Sequence, residues 1–218
     1  GSAMEHIFMT QEWQTAWWDQ FGEGAESINL CLYNGTKLEG VAPLVRRNGK
    51  ISLIGSQDLF DYGDFPILKG CEDKFYSSLI DYFCNQDCQV LELASIVEGS
   101  PTLDYLPGIA RNRGILVKID QEDVSPGVNL PTDWEGYLQL LSKKDRHELR
   151  RKLRRIASNW EDFRLVKFDS ANNIGSGIDD FICLMKLSGE AKDEFLNESR
   201  EQFFRTICHK MSQTGRIR

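Results

Sequence analysis

Trp13, Trp17 and Phe21 fall at four-residue steps between Thr10 and Gly22. That spacing predicts a short amphipathic helix capped by Thr10 and stopped at Gly22, its aromatics serving as core. The segment SINLCLYNGTKLEGVAPLVRRNGKISLIGS then places Asn34-Gly35 and Asn48-Gly49 between runs rich in β-formers. Asn-Gly is a strong hairpin signal, so a three-stranded antiparallel meander is expected. A helix over 72–83 follows, with Phe75, Leu79, Ile80 and Phe83 on one face. After it come a buried-type strand in CQVLELASI and a helix capped by Ser100, with Pro101 at its first position and Gly114 at its end. ILVKID reads as a further strand. Together these elements describe one α/β unit.

A different pattern begins at TDWEGYLQLLSKKDRHELRRKLRRIASN. Thr132 with Glu135 forms a capping box, and Ser142 with Asp145 repeats a cap-like pattern ten residues later. On a helical projection Trp134, Leu138, Leu141, Leu149, Leu153 and Ile156 share a face, with Asp145 in the middle of it. A charge there is awkward for one straight helix, so two helices broken near Ser142 are expected. Beyond them FRLVKFD, residues 163–169, reads as a strand. A helix then carries Phe181, Leu184, Met185 and Leu187, and another is capped by Ser199 and ended by Gly215. The chain stops where a strand would begin. One strand and two helices cannot bury a sheet face, so this second unit reads as incomplete.

Composition excludes several classes. With 41% hydrophobic and 27% charged residues in 218, the chain is globular rather than disordered or fibrous. The formal net charge is −7, yet residues 143–155 hold eight Lys/Arg against two acids, +6, which leaves −13 on the rest. A nucleic-acid footprint over the whole protein is excluded by that balance. The opening GSAM looks like the scar of a removed affinity tag, with Met4 as the natural start. Six cysteines lack CxxC pairs and accompany only three histidines, so no metal site is expected, CNQDC (84–88) included, and free thiols in a cytoplasmic protein are the default.

The segments TQEWQTAWWDQFG, LEGVAPLVRRNGKISLIGSQDLFDYGDF and WEGYLQLLSKKDRHELRRKLRRI together resemble the double-domain GNAT-like acyltransferases of bacterial exopolysaccharide and cellulose biosynthesis loci. They are also distantly similar to the Fem-type aminoacyltransferases that build peptidoglycan bridges. The resemblance implies an α/β (α+β) fold: a GNAT-like mixed, twisted sheet flanked by helices, the first copy complete and the second only begun. Its boundaries would be a tag remnant at 1–4, a first GNAT-like domain at 5–131, linking basic helices at 132–160 and the start of a second copy at 161–218. In such a fold central strands splay apart to admit an acyl thioester, and a (Arg/Gln)-x-x-Gly-x-(Gly/Ala) turn opening a helix holds the pyrophosphate of acyl-CoA on backbone N–H groups.

The first copy lacks that turn. GSQDLFDYGDFPILKGCEDKF stands in its place with carboxylates that would repel phosphate, so the acyl-CoA donor site is expected beyond Arg218. The family's His and Arg in the first helix of the second copy are missing from LMKLSGEAKDEF, which has Lys186 and Lys192 instead.

Two groups are candidate sites. Asp61, Tyr62 and Asp64 of DYGDF are catalytic candidates, as a base or a clamp on an acceptor amine, or they form only an Asp-rich turn. In the basic helix, Lys143, Arg146, Arg150 and Arg154 lie along one flank and Lys144, Arg151 and Arg155 along the other. Like charges at four-residue steps repel, and Arg forks bind phosphate bidentately, so Lys143, Arg146, Arg150, Arg151 and Arg154 are candidates for phosphate or anionic substrate. The rival is a merely solvated face. His147 falls on the polar side, and Cys208 and His209, being adjacent, do not face each other on a helix.

The function implied is transfer of an acyl group from acyl-CoA to an amine or hydroxyl of a sugar-linked, lipid-linked or cell-envelope precursor. Alternatives are a Fem-type transferase using aminoacyl-tRNA, whose RNA the basic helix would touch, and a non-enzymatic scaffold. DNA is not an expected partner, and no apolar run reaches the ~18 residues of a membrane span.

Overall fold

A computed structural model of the chain describes residues 6–55, 58–86, 90–158, 164, 166–168 and 173–217. It is a mixed α/β protein of two compact units, Gly1–Asp120 with Asp169–Arg218, and Gln121–Phe168.

In the first unit a 3-10 turn, Ile7–Met9, leads into α1 (Gln11–Phe21). The Thr10 side chain accepts from the Trp13 N–H at 3.4 Å, and Gly22 ends the helix, as the spacing predicted. The meander is β1 (Glu26–Asn34), β2 (Lys37–Arg47) and β3 (Lys50–Leu53), all antiparallel. Asn48 and Gly49 both take positive φ, 53° and 76°, the requirement of the two-residue turn whose twist matches the strands it joins. Helix α2 (Glu72–Cys84) crosses over, so that β4 (Val90–Glu92) pairs with β3 in parallel. The sheet order is β1-β2-β3-β4, and α3 (Pro101–Asn112) follows.

Sheet alternation sends side chains to two faces, and helices cover both. On one, Ile28, Ala42, Leu44, Ile51 and Leu53 meet Phe75, Tyr76, Leu79 and Ile80 of α2 and Leu106 and Ala110 of α3. On the other, Val45 joins Trp13, Ala16 and Trp17 of α1 and Phe203, Ile207 and Met211 of α8 (Glu198–Gln213). The Trp13 and Phe203 rings meet edge to face, with centroids 5.0 Å apart and planes at 87°. This contact brings residues far apart in sequence into one core. The compact units are therefore drawn differently from the boundaries read off the sequence, which set 161–218 apart from 5–131.

Several local expectations need correction. ILVKID is not a strand; Ile115 and Val117 pack against the core without joining the sheet. Val90 of β4 is exposed, so this three-residue edge strand is not the buried one expected. The expected strand at 163–169 falls partly outside the described residues, and residues 164 and 166–168 form no strand. Nor do Arg216 and Ile217. Helix α6 (Ile174–Leu187) buries Ile174, Ile178 and Ile182 and leaves Phe181, Leu184 and Leu187 exposed, the reverse of the expected face apart from Met185, which does pack inward. After the short α7 (Glu190–Phe195), the cap of α8 is Asn197 rather than Ser199, accepting from Arg200 N–H at 3.0 Å.

The second unit contains α4 (Trp134–Leu140) and α5 (Lys143–Ser158). The expected break is present: Leu141 is extended, with φ −75° and ψ 148°. Ser142 Oγ accepts from Asp145 N–H at 3.2 Å and donates to Asp145 Oδ2 at 2.7 Å. The cap of α4 is Asp133, one residue past Thr132, accepting from Gly136 N–H at 2.7 Å. Among the described residues no helix is long and apolar enough to cross a membrane.

Phe203 is fully buried between Trp13 and Phe21. Phe203→Ala should cost about 3–5 kcal/mol, read as a lowered midpoint in urea unfolding followed by tryptophan fluorescence. A loss under about 1 kcal/mol would mean that α8 does not pack on α1.

Candidate functional site

Pairing between β3 and β4 ends at Ser52↔Glu92, and beyond it Ser95 O is bonded by the DYGDF loop instead of by β3. Gly63 N–H donates to Ser95 O at 2.9 Å, and a Cβ on Gly63 would come within 2.8 Å of Ala94 O and 2.9 Å of Leu53 Cδ1. Only a residue without a side chain fits there. Backbone thus lies against both Leu53 and Ala94, and the neighbouring cleft, lined by Phe8, Met9, Pro43, Phe60 and Tyr62 among others, has a cavity volume of only ≈ 10 Å³. Ligand pockets usually begin at about 300 Å³.

The three catalytic candidates of this loop stand in different surroundings. Asp61 is exposed. Tyr62 is half-buried, its ring 5.0 Å from His6 and 6.4 Å from Phe8. Asp64 is 3% exposed and accepts three hydrogen bonds, from Phe65 N–H at 2.8 Å and from the Ser100 and Thr102 hydroxyls. Because the Thr102 hydroxyl gives its one proton to Asp64, the Tyr76 hydroxyl must donate to Thr102 Oγ1, 2.8 Å away. Ser100 Oγ in turn accepts from Thr102 N–H at 3.0 Å. The carboxylate therefore sits at the N-terminus of α3, where the helix dipole favours negative charge. A base needs an accessible lone pair; Asp64 spends its oxygens fixing the loop to α3 and, through Thr102, to α2.

Burial pushes the Tyr76 phenol far above its ordinary range, and the Asp64 charge adds to it. Thr102 and Tyr76 went unsuspected in the sequence, although the Ser100 cap beside them was legible. Glu39 also escaped notice. It is buried on β2, 3.3 Å from Lys74 Nζ, and a hydrogen bond from the Asn34 side chain is the main cause holding its carboxyl below the usual range.

Helix α5 carries the second candidate group and buries none of its residues. Arg146 Nη2 donates to Leu141 O at 3.2 Å, closing the break. Arg150 pairs with Glu135 of α4 at 3.1 Å. Arg151 grips Glu148 with Nε at 2.9 Å and Nη2 at 2.7 Å, and Lys152 stands 3.8 Å from the same carboxylate. That Arg151 hydrogen bond holds Glu148 below the usual carboxylate range and raises the guanidinium in return. Arg154 donates to Arg150 O at 3.4 Å. Among the described residues Lys143, Lys144, Arg154 and Arg155 make no ion pair. Of the sequence-derived flank, Arg146, Arg150 and Arg154 are therefore each engaged locally, Arg150 alone in an ion pair, while Arg151 belongs to Glu148.

His209 Nε2 lies 3.0 Å from Gln213 Nε2, and burial raises the Cys208 thiol. Among the described residues no group of three or more His, Cys, Asp or Glu side chains is placed to hold a metal ion; Cys88 of CNQDC lies outside them. Compared with protein-family models, curated proteins and solved structures, the chain has no significant match.

Asp64→Ala should destabilise the protein by about 2–4 kcal/mol in chemical unfolding, by stranding the hydroxyls of Ser100 and Thr102; an unchanged midpoint would free Asp64 for catalysis. Tyr76 gives a pH test. Its folded pKa is raised, so its contribution is complete below about pH 10, where an unfolded tyrosine titrates, and is lost as pH climbs toward the folded value. Stability measured above pH 10 should fall less steeply in Tyr76→Phe than in the parent. Parallel profiles would show that Tyr76 ionises freely.

Proposed function

We propose that the protein is an acyltransferase of the tandem GNAT type, moving an acyl group from acyl-CoA to an amine or hydroxyl on a sugar-linked or envelope-precursor acceptor. The observation that carries this reading is the connection β3-α2-β4: an antiparallel meander whose last strand pairs in parallel with the next through a helix, over Lys50–Ser52 only. The resembled fold is built on that pattern, and admits its thioester where two such strands splay apart.

Here the DYGDF loop bonds Ser95 O beyond the end of that pairing, which agrees with a first copy that does not hold the donor. We place the donor site beyond Arg218. The cations of α5 that make no ion pair, led by Lys143 and Arg154, then attract acceptor or donor phosphates as point charges and forks. Asp61, exposed at the loop tip, remains the carboxylate of this loop able to meet an amine.

The protein from the complete open reading frame should release CoA thiol from acetyl-CoA when a sugar-linked amine is supplied, followed with a thiol reagent. Lys143→Glu/Arg154→Glu should raise KM for a phosphate-bearing acceptor at least about tenfold, with a smaller change in kcat. Absence of thiol release with every acyl-CoA tried, and of any thermal shift, would leave the scaffold reading in its place.

A further inference from the structure

Helix α5 is 16 residues long and buries none of them. Isolated helices of this length are marginal in water, and most protein helices are held by an apolar face packed on something. The Ser142 cap and the Glu148 pairs support its first turns. Beyond Lys152 that help runs out: Arg150 pairs with Glu135, and Arg151 and Lys152 with Glu148, but residues 149–158 include no acid for Arg154 and Arg155. Like charges meet at four-residue spacing in Arg146/Arg150, Arg150/Arg154 and Arg151/Arg155, which opposes the helix.

The same turns carry an apolar stripe. At about 100° per residue, Leu149, Leu153 and Ile156 fall together. Leu153 is 41% and Ile156 43% exposed. Arg146 and Arg150 border the stripe on one side and Lys152 on the other, with the remaining cations around the polar face. Arg and Lys stems can lie along apolar material while their charges reach outward to phosphate.

We propose that α5 docks the protein side-on to an anionic lipid bilayer, with Leu153 and Ile156 entering the headgroup boundary and the flanking cations meeting lipid phosphates. A bilayer supplies both missing partners at once: apolar material for the stripe and negative charge for the stacked cations. A nucleic acid would answer the charges alone, because its phosphate backbone gives exposed Leu and Ile nothing to be buried against. Asp145 shares the side of the stripe but stands two turns before Leu153, with its carboxylate engaged by Ser142. This inference does not depend on acyl transfer and can fail or stand separately from it.

Vesicle flotation of the whole chain tests it, using phosphatidylcholine vesicles with and without phosphatidylglycerol. The protein should float with the mixed vesicles and not with phosphatidylcholine alone, and the binding should weaken as salt rises. Arg154→Glu/Arg155→Glu should weaken it at least about thirtyfold. Leu153→Ser/Ile156→Ser should weaken it about tenfold while circular dichroism stays unchanged, since all four side chains are exposed. No flotation with phosphatidylglycerol overturns the proposal, as does equal binding to both vesicles. Parent-like flotation of Leu153→Ser/Ile156→Ser, or binding of tRNA without binding of vesicles, overturns it too and assigns the helix to a soluble polyanion.

Discussion

A carboxylate withdrawn from water is tolerable only where donors replace its hydration, and Asp64 has three. The constraint shapes the surrounding fold. Ser100 must stand at the start of α3 and Thr102 two residues later, or the charge is left uncompensated, and Tyr76 of α2 bonds Thr102 in turn. Two helices and the DYGDF loop are thereby held in one arrangement. Gly63, one residue earlier, is carried between β3 and the chain after β4. The loop takes this place because its neighbour is anchored, and because Gly63 has no side chain to prevent it.

The same anchoring explains why an acidic loop beside an open sheet need not be a catalytic one. A carboxylate can be conspicuous in a sequence either because substrate meets it or because the fold is tied to it, and burial with saturated hydrogen bonding distinguishes the two. Asp64 falls on the second side. Asp61, three residues earlier and exposed, is under no such restraint. Rigidity of the loop then has value for chemistry only in so far as it fixes where Asp61 projects.

Much of the first unit was legible because its signals are local. Thr10 and Ser100 are caps with acceptors in reach of their own helices, and Asn48-Gly49 can take paired positive φ with little strain. The helix break near Ser142 was legible for the same reason: Asp145 could not lie in an apolar seam and serve a cap as well. What sequence could not supply was the choice between equivalent faces. IGSGIDDFICLMKL is apolar nearly all round, so Phe181 and Leu184 compete with Ile178 and Ile182 for the inside, and only packing beside Leu196 and Phe204 decides it. Nor could periodicity show that Phe203 returns to Trp13, since a contact 190 residues away leaves no local trace. In the candidate sites, the cations of α5 were visible as a run, whereas the capture of Arg151 by Glu148 and of Arg150 by Glu135 depended on rotamers and on the angle between two helices.

Charge segregation bears on how such a protein meets an anionic partner. With −13 on the remainder and +6 on one short segment, attraction acts through α5 while the rest of the chain is repelled. A molecule of uniform positive charge would be attracted anywhere along its chain; this one is attracted through one segment. Its attraction is confined within about a Debye length of the helix, so encounter selects approaches in which α5 leads. At contact the exposed Leu153 and Ile156 stand in the same few turns as the cations, so the face that is steered in is also the face with apolar surface to lose from water. The acidic remainder thus contributes to the encounter by exclusion.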